Sequence, residues 1–219
     1  MSLSKLLPVS FFTRTSLTEG FSLASKYFSC SLLVLLMAGC SQLSKKEPIA
    51  SDADVLKQKE NSRLEQQFIA ALNMQREGQL EDAKEAYIEI LEARPALINP
   101  RFNLAQIALL EEKNDDAEAA LAEVLKQKPD HKQALNLKGV LARESGKFEA
   151  SEAFYRQSLA ADPSYLPAIR NLAILLDLYL GRLQEALPLY EQYQSMLDKP
   201  DSQVKDWIFD LKRRLEDGA

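Results

Sequence analysis

The sequence predicts an all-α protein built from a short array of helix pairs. Two observations predict this fold class. Ala, Leu, Glu, Lys and Gln, which favour helices, dominate after residue 50. Proline also recurs at a fixed interval, because Pro95, Pro129 and Pro163 are spaced 34 residues apart. A period of this length is typical of repeat proteins, so stacked repeats rather than one central core should organise the chain.

Small residues keep the same interval in the first helix of each predicted pair. Ala71, Ala105, Gly139 and Ala173 recur every 34 residues. We expect them where the two helices of a pair cross, because a large side chain there would force the helices apart.

Bulky residues keep the interval in the second helix. Tyr87, Leu121 and Tyr155 share one phase, and Tyr190 follows one residue late. We expect these side chains to fill the space between successive pairs. The delay indicates one extra residue in the fourth repeat, near 178–181.

Glycine and proline mark the predicted ends of the helices. Gly78, Gly146 and Gly181 should form the tight turn inside a pair, because glycine adopts the left-handed conformation that such a turn requires. The recurring prolines follow the second helices, where the missing N–H ends one helix before the next begins.

The small residue in the first helix, Ala followed by an aromatic residue in the second, and the closing proline together resemble the tetratricopeptide repeat. The resemblance covers 64–200, although no repeat has the first-helix Trp of the consensus. It implies a right-handed solenoid of about four helix-turn-helix repeats within 62–200. Their approximate bounds are 64–97, 98–131, 132–165 and 166–200.

A capping helix is predicted for 201–219. Its apolar residues fall at helical spacing and its other face is charged, which suits the polar end that a repeat array needs. These apolar residues are Val204, Trp207, Ile208, Leu211 and Leu215. We expect Trp207 to pack against the last repeat, and a partner-binding role for it is the alternative.

The first 39 residues are interpreted as a signal peptide. The apolar run at 32–38 is too short to cross a bilayer, which needs about 20 apolar residues. Met37, Ala38, Gly39 and Cys40 resemble the lipobox of bacterial lipoproteins, which implies lipid attachment at Cys40 after cleavage. An ordinary secretory signal is the alternative.

Residues 40–61 are predicted to be the lipidated cysteine and a flexible tether, with a helix possible from Asp52 onward. The lipoprotein resemblance also implies a location, because Ser41 after the cysteine favours the outer membrane over the inner one. We therefore expect a lipid anchor on the periplasmic face of the outer membrane.

The repeat resemblance implies a concave groove lined by the first helices, which we expect to bind a protein or peptide. Asn103 and Asn171 share a phase, so a repeated grip on a peptide backbone is predicted for them. The two-carboxylate clamp of some family members is not expected, because Phe68 and Leu72 replace its polar residues. The groove set contains Phe68, Leu72, Phe102, Asn103, Gln106, Leu109, Asn136, Val140, Arg143, Arg170, Asn171, Ile174 and Asp177.

No catalytic residue, metal site or cofactor is expected. His131 is the single histidine and follows Pro129, so a solvated turn position is predicted for it. Both cysteines precede the repeats, and no metal-ligand spacing or phosphate-binding loop is present in the sequence. The formal net charge of -5 disfavours nucleic acid as a partner.

Two functions are compatible with these features. The order of anchor, tether, repeats and cap resembles that of pilotins and Tad-type pilus proteins, which implies a scaffold that helps a pilus, secretion or motor complex to assemble. The alternative is an adaptor that regulates a peptidoglycan hydrolase or another periplasmic enzyme.

Overall fold

The computed structural model describes residues 52–217. The signal peptide, Cys40 and residues 41–51 of the tether lie outside the described residues. Within 52–217 the chain forms nine α-helices and one π-helical turn. The α-helices are α1 (Asp52–Arg76), α2 (Leu80–Ala93), α3 (Ile98–Leu110), α4 (Asn114–Gln127), α5 (Lys132–Glu144), α6 (Phe148–Ala161), α7 (Leu166–Ile174), α8 (Leu183–Ser195) and α9 (Ser202–Asp217).

The predicted all-α repeat fold is confirmed. Helices α1 to α8 pack as four successive pairs, each pair also contacts the next, and α9 packs on α8. Helix α1 begins at Asp52 and so shortens the tether predicted for 40–61. Its first half is joined to the end of α2, where Arg94 contacts Asn61 and Glu60 at 3.2 and 3.3 Å.

The small residues lie where the helices of each pair cross. Ala71, Ala105 and Ala173 are completely buried. Gly139 permits the closest approach, since a Cβ built there would lie 2.4 Å from a ring carbon of Tyr155. The prediction from phase is therefore confirmed, and the third pair has room only for glycine.

The bulky second-helix residues are the largest fully buried side chains. Tyr87, Leu121, Tyr155 and Tyr190 are each at most 1% exposed. They belong to three apolar clusters along the stack rather than to one central core. Full burial of one large apolar side chain contributes about 1.5–3 kcal/mol to the free energy of unfolding, so the stability of the stack depends on these four positions.

The turns inside the pairs use left-handed backbone. Gly78, Gly146 and Gly181 have φ of 81°, 72° and 64°. The second pair has Glu112 at the equivalent position, with φ of 59°. An L-residue in this conformation costs about 1–2 kcal/mol, so the α3–α4 turn is the strained one of the four.

The extra residue of the fourth repeat is accommodated by a π-helical turn at Leu175–Tyr179, which directly follows α7. Such a wide turn inserts one residue into a helix without ending it. It overlaps the predicted range 178–181 and explains why Tyr190 is one residue late.

Helix α9 closes the stack as predicted. Val204 and Leu211 are buried against the fourth repeat. The ring of Trp207 lies 5.7 Å from that of Tyr190, so its packing role is confirmed. Within 52–217, no helix has both the length and the apolar character that crossing a bilayer requires.

Candidate protein-binding surface

The groove set divides into buried and half-buried side chains. Nine of its thirteen members are half-buried, and we call these nine side chains the half-buried surface. Four are buried, and their predicted surface placement is wrong. The buried members are Asn103, Asn136, Val140 and Asp177.

Asn103 is buried because it bonds the preceding repeat. Its Nδ2 donates to the hydroxyl of Tyr87 at 3.0 Å, and that hydroxyl donates to Oε1 of Gln75 at 2.9 Å. Burial raises the pKa of Tyr87 to about 12, against the lowering effect of the Asn103 hydrogen bond. Asn103 thus joins two repeats, and its amide nitrogen already donates a hydrogen bond inside the protein.

Asn171 has the same phase but a different partner. Its Nδ2 donates to Oδ1 of Asn136 at 3.0 Å. A common peptide-gripping role for Asn103 and Asn171 is therefore not supported by their contacts. Asn136 and Val140 are buried because the fourth repeat covers them, Val140 by packing with Leu172 and Ala173.

Each repeat faces the next element of the stack, which is the following repeat or α9, with a first-helix residue and the bulky second-helix residue that follows it, and we call this contact a junction. The first-helix residues are spaced by 34, and they differ in chemistry. We name the junctions by these pairs, which are Gln75–Tyr87, Leu109–Leu121, Arg143–Tyr155 and Asp177–Tyr190.

The second junction is apolar. Leu109, Leu121 and Leu137 belong to one cluster and need no hydrogen bonds.

The third junction is polar but incompletely paired, because within 52–217 the Tyr155 hydroxyl and Nδ2 of Asn136 are buried without a well-formed hydrogen bond. Burial raises the pKa of Tyr155 to about 12. The Ser151 side chain is close enough to the Tyr155 hydroxyl to lower its pKa.

The fourth junction contains a buried charge. Asp177 lies in the π-helical turn, its side chain is 5% exposed, and Arg214 of α9 forms an ion pair with it. Burial raises the pKa of Tyr190, and the nearby Asp177 carboxylate raises it further. The capping helix is thus held by charge as well as by apolar packing.

The half-buried surface is apolar at its N-terminal end. Phe68 lies 5.8 Å from the ring of Tyr87, and Phe102 lies 5.0 Å from the ring of His131. Leu110, at the end of α3, is 62% exposed. This end can accept apolar side chains of a partner.

The same surface is cationic at its C-terminal end. The guanidinium of Arg143 lies over the ring of Tyr179, with Cζ 5.8 Å from the ring centroid. That of Arg170 lies over Trp207 at 5.5 Å. A cation–π contact of this kind restricts the positions that a guanidinium can adopt.

His131 is not the solvated turn residue that was predicted. It is 9% exposed and caps α5, because its Nδ1 accepts a hydrogen bond from the Ala134 amide at 3.2 Å. Burial lowers the pKa of His131, and the neighbouring Lys128 lowers it further. Its role is structural, at the boundary between the second and third repeats.

Gln75, Tyr179 and Arg214 contribute to this surface or its support but were not predicted. Gln75 shares its phase with Arg143 and Asp177, so the period could have identified it. Tyr179 and Arg214 lie beyond the regular period, in the π-helical turn and the cap. Among residues 52–217, no cluster of three or more His, Cys, Asp or Glu side chains is arranged to hold a metal ion.

Comparison with known proteins supports the repeat assignment. Residues 102–165 match the tetratricopeptide repeat model. The uncharacterized protein y4yS of Sinorhizobium fredii (strain NBRC 101917 / NGR234) is 29% identical over 164 residues, which are 72% of this chain and 85% of that protein.

Two solved structures have a similar fold. Pseudomonas aeruginosa pilF superposes with a TM-score of 0.64 at 17% identity, over 72% of this chain and 71% of that one. The MamA RS-1 ArsTM double mutant gives 0.59 at 16% identity, over 70% and 85%. At these identities the likeness shows the fold alone. The match over residues 102–165 and the stacked helix pairs of 52–217 are both consistent with a tetratricopeptide solenoid.

Proposed function

We propose that this protein is a non-enzymatic scaffold that binds another protein and helps a cell-envelope complex to assemble. The observation that supports it is the half-buried surface of the first helices, which is apolar at its N-terminal end and carries guanidinium groups at its C-terminal end. Half-buried side chains of mixed chemistry are suited to a partner's extended segment, since apolar contacts supply affinity and polar ones fix its register.

The envelope location rests on the sequence. Residues 37–40 resemble a lipobox, and the order of anchor, tether, repeats and cap resembles that of pilotins and Tad-type pilus proteins. Two or more acyl chains would hold the protein at a membrane durably, since each buried CH₂ contributes about 0.8 kcal/mol. A pilus, secretion or motor component is therefore the proposed partner.

The anchor is tested by labelling cells with a palmitate analogue. We expect label on the wild-type chain and none on Cys40→Ser, which should also move from the membrane fraction to the soluble periplasmic one. Label on Cys40→Ser, or none on the wild type, would contradict lipidation at this cysteine.

The scaffold role is tested by photocrosslinking in cells from Gln106 and Ile174, two half-buried members of the groove set. Glu89 and Lys126, exposed on second helices, serve as matched controls. We expect one envelope component to be captured from the first pair of positions and not from the second.

Capture of a peptidoglycan hydrolase instead would favour the adaptor alternative. Equal capture from all four positions would show that the first helices do not form the binding surface.

A further inference from the structure

We propose that Arg143 and Arg170 bind the side-chain carboxylates of an acidic segment in the partner protein. This inference rests on the proposed scaffold function and adds the chemistry of the partner. It also gives the partner a direction, because the cationic end of the surface lies in the third and fourth repeats and the apolar end lies in the first and second.

Among the described residues, neither of these two arginines has a close oxygen acceptor. Six arginines of the described region are half-buried. Four of them have an oxygen acceptor within 3.3 Å, and these are Arg94, Arg101, Arg182 and Arg214. Among the described residues Arg143 has none, and Arg170 has only Oε1 of Gln203 at 3.5 Å.

A half-buried guanidinium with unmet donors is costly unless a partner supplies the acceptors. Each guanidinium has five N–H donors and cannot lose its charge in a protein. A carboxylate is the group whose planar pair of oxygens best matches these donors.

Aromatic contacts restrict both guanidinium groups before a ligand binds. Arg143 lies on the ring of Tyr179 and Arg170 on that of Trp207. An arginine drawn to an aromatic face has lost part of its rotamer freedom before binding, so less entropy is lost when a carboxylate arrives. Preorganisation of this kind is typical of a recognition site rather than of a freely solvated charge.

The occupant must supply more than one carboxylate. Tyr179 and Trp207 belong to different elements, the π-helical turn and α9, so each arginine is held at its own place. Asp177, the buried carboxylate nearby, is already paired with Arg214. We therefore assign an extended segment with at least two Asp or Glu side chains, rather than a single terminal carboxylate.

The charge of the whole chain makes this site selective. The formal net charge is -5, so an acidic segment is repelled by most of the surface. Several of the other cations are paired, as Arg182 is with Glu152 and Glu185. Two unpaired cations on the half-buried surface are thus where an acidic partner gains attraction, and this charge match sets its register.

The test begins with selection of 12-residue random peptides on the full chain in detergent micelles. We expect enriched peptides to carry Asp or Glu in one half and apolar residues in the other. Selection on the Arg143→Gln, Arg170→Gln double variant should keep the apolar enrichment and lose the acidic one. Arg156→Gln is the matched control, because Arg156 is exposed and already paired with Glu152 on α6.

Affinity then separates charge from structure. A labelled peptide from the selection should bind the double variant at least about tenfold more weakly at low salt, as expected for loss of charge-assisted hydrogen bonds. The same peptide with Gln for each Glu should bind both proteins alike. Arg143→Lys with Arg170→Lys should restore part of the affinity, and the melting temperature of each variant shows whether α9 stays docked.

Different failures have different meanings. Enriched peptides without acidic residues, or equal losses for the acidic and the Gln peptide, would overturn the carboxylate assignment while leaving the scaffold function standing. Binding of the selected peptide through a free terminal carboxylate, lost on amidation, would also overturn it. No enrichment on the wild-type chain would overturn both proposals.

Discussion

The first and third junctions between repeats share a plan but differ in how completely their polar groups are paired. In the first, the hydroxyl of Tyr87 both donates to Gln75 and accepts from Asn103. In the third, the equivalent hydroxyl of Tyr155 has no well-formed hydrogen bond among the described residues. The same aromatic residue at the same phase therefore stabilises one junction by packing and hydrogen bonds, and the other by packing alone.

The 34-residue period therefore specifies the position and volume of a side chain but not its hydrogen bonds. An unpaired buried polar group costs about 1–3 kcal/mol, so the third junction forgoes stability that the first one keeps. It also contains Gly139, Asn136 and Arg143, and it leads into the cationic end of the surface. The least completely paired junction thus adjoins the proposed binding site.

The largest expected effect concerns the fourth junction, where a buried carboxylate replaces the amide of the first. Arg214→Ala should lower the free energy of unfolding by about 3 kcal/mol, because it leaves Asp177 buried without a counter-charge. Urea denaturation followed by circular dichroism measures it. The matched control is Arg213→Ala, whose exposed pair with Asp210 should be worth less than about 1 kcal/mol.

Equal losses for Arg213→Ala and Arg214→Ala would show that the Asp177 pair is no stronger than a surface pair. The fourth junction would then be held by apolar packing, as the second is.

The next largest effect is expected at Gly139, where a larger side chain measures how tightly the third junction is packed. Gly139→Ala should destabilise the protein by about 1–3 kcal/mol, because the new methyl group would lie 2.4 Å from a ring carbon of Tyr155. Adding Tyr155→Leu should recover most of the loss, since the second repeat combines Ala105 with Leu121. Thermal unfolding of the single and double variants measures the coupling.

A stabilising Gly139→Ala would mean that helix propensity outweighs the contact. The third junction would then be looser than its geometry indicates.

Removing the hydroxyl of Tyr87 or of Tyr155 should affect stability differently. Tyr87→Phe should cost about 1–2 kcal/mol, because Gln75 and Asn103 lose a shared partner inside the protein. Tyr155→Phe should change the free energy of unfolding by less than about 0.5 kcal/mol or increase it. Chemical denaturation of the two variants under one condition gives the contrast, and equal costs would contradict it.

The smallest expected effect is a pH dependence of stability that arises from His131, between the second and third repeats. Burial lowers the pKa of His131 in the folded protein below its value in the unfolded chain, about 6.5. Its contribution to stability is therefore present above pH 6.5 and is lost as the pH falls through the folded-state pKa. Protonation also removes the acceptor that caps α5.

His131→Asn is the variant that isolates this effect, since its amide oxygen caps a helix at any pH. The difference in melting temperature between wild type and variant should change between pH 7.5 and 5 in favour of the variant. Glu144, whose pKa burial raises, titrates in both proteins and cancels in the difference. A constant difference would contradict the role assigned to His131.

Much of the fold could be predicted because it depends on volume and period. The helix crossing at Ala71, the buried ring of Tyr87 and the extra residue of the fourth repeat all follow from spacing. The left-handed turn at Glu112 did not, because no glycine marks it and only alignment with Gly78 and Gly146 reveals it.

The binding surface could be predicted less well, because phase gives the side of a helix and not the depth of a side chain. Asn103 and Asn136 lie on the same first-helix face as Gln106, yet both are buried, and each forms a hydrogen bond with a residue of a neighbouring repeat. Such bonds depend on which residue the next repeat contributes. His131 was misplaced for a related reason, since its ring packs on Phe102, which lies at the other end of the same repeat in the sequence.

The Asp177 ion pair also makes the last repeat depend on the helix that closes it. Asp177 keeps the regular spacing of Gln75, Leu109 and Arg143, so the same position of the repeat carries an acid in the last unit. Arg214 of α9 supplies the counter-ion. Detaching α9 would therefore strand a carboxylate in an apolar environment, which couples the docking of the last helix to the folding of the repeat beneath it.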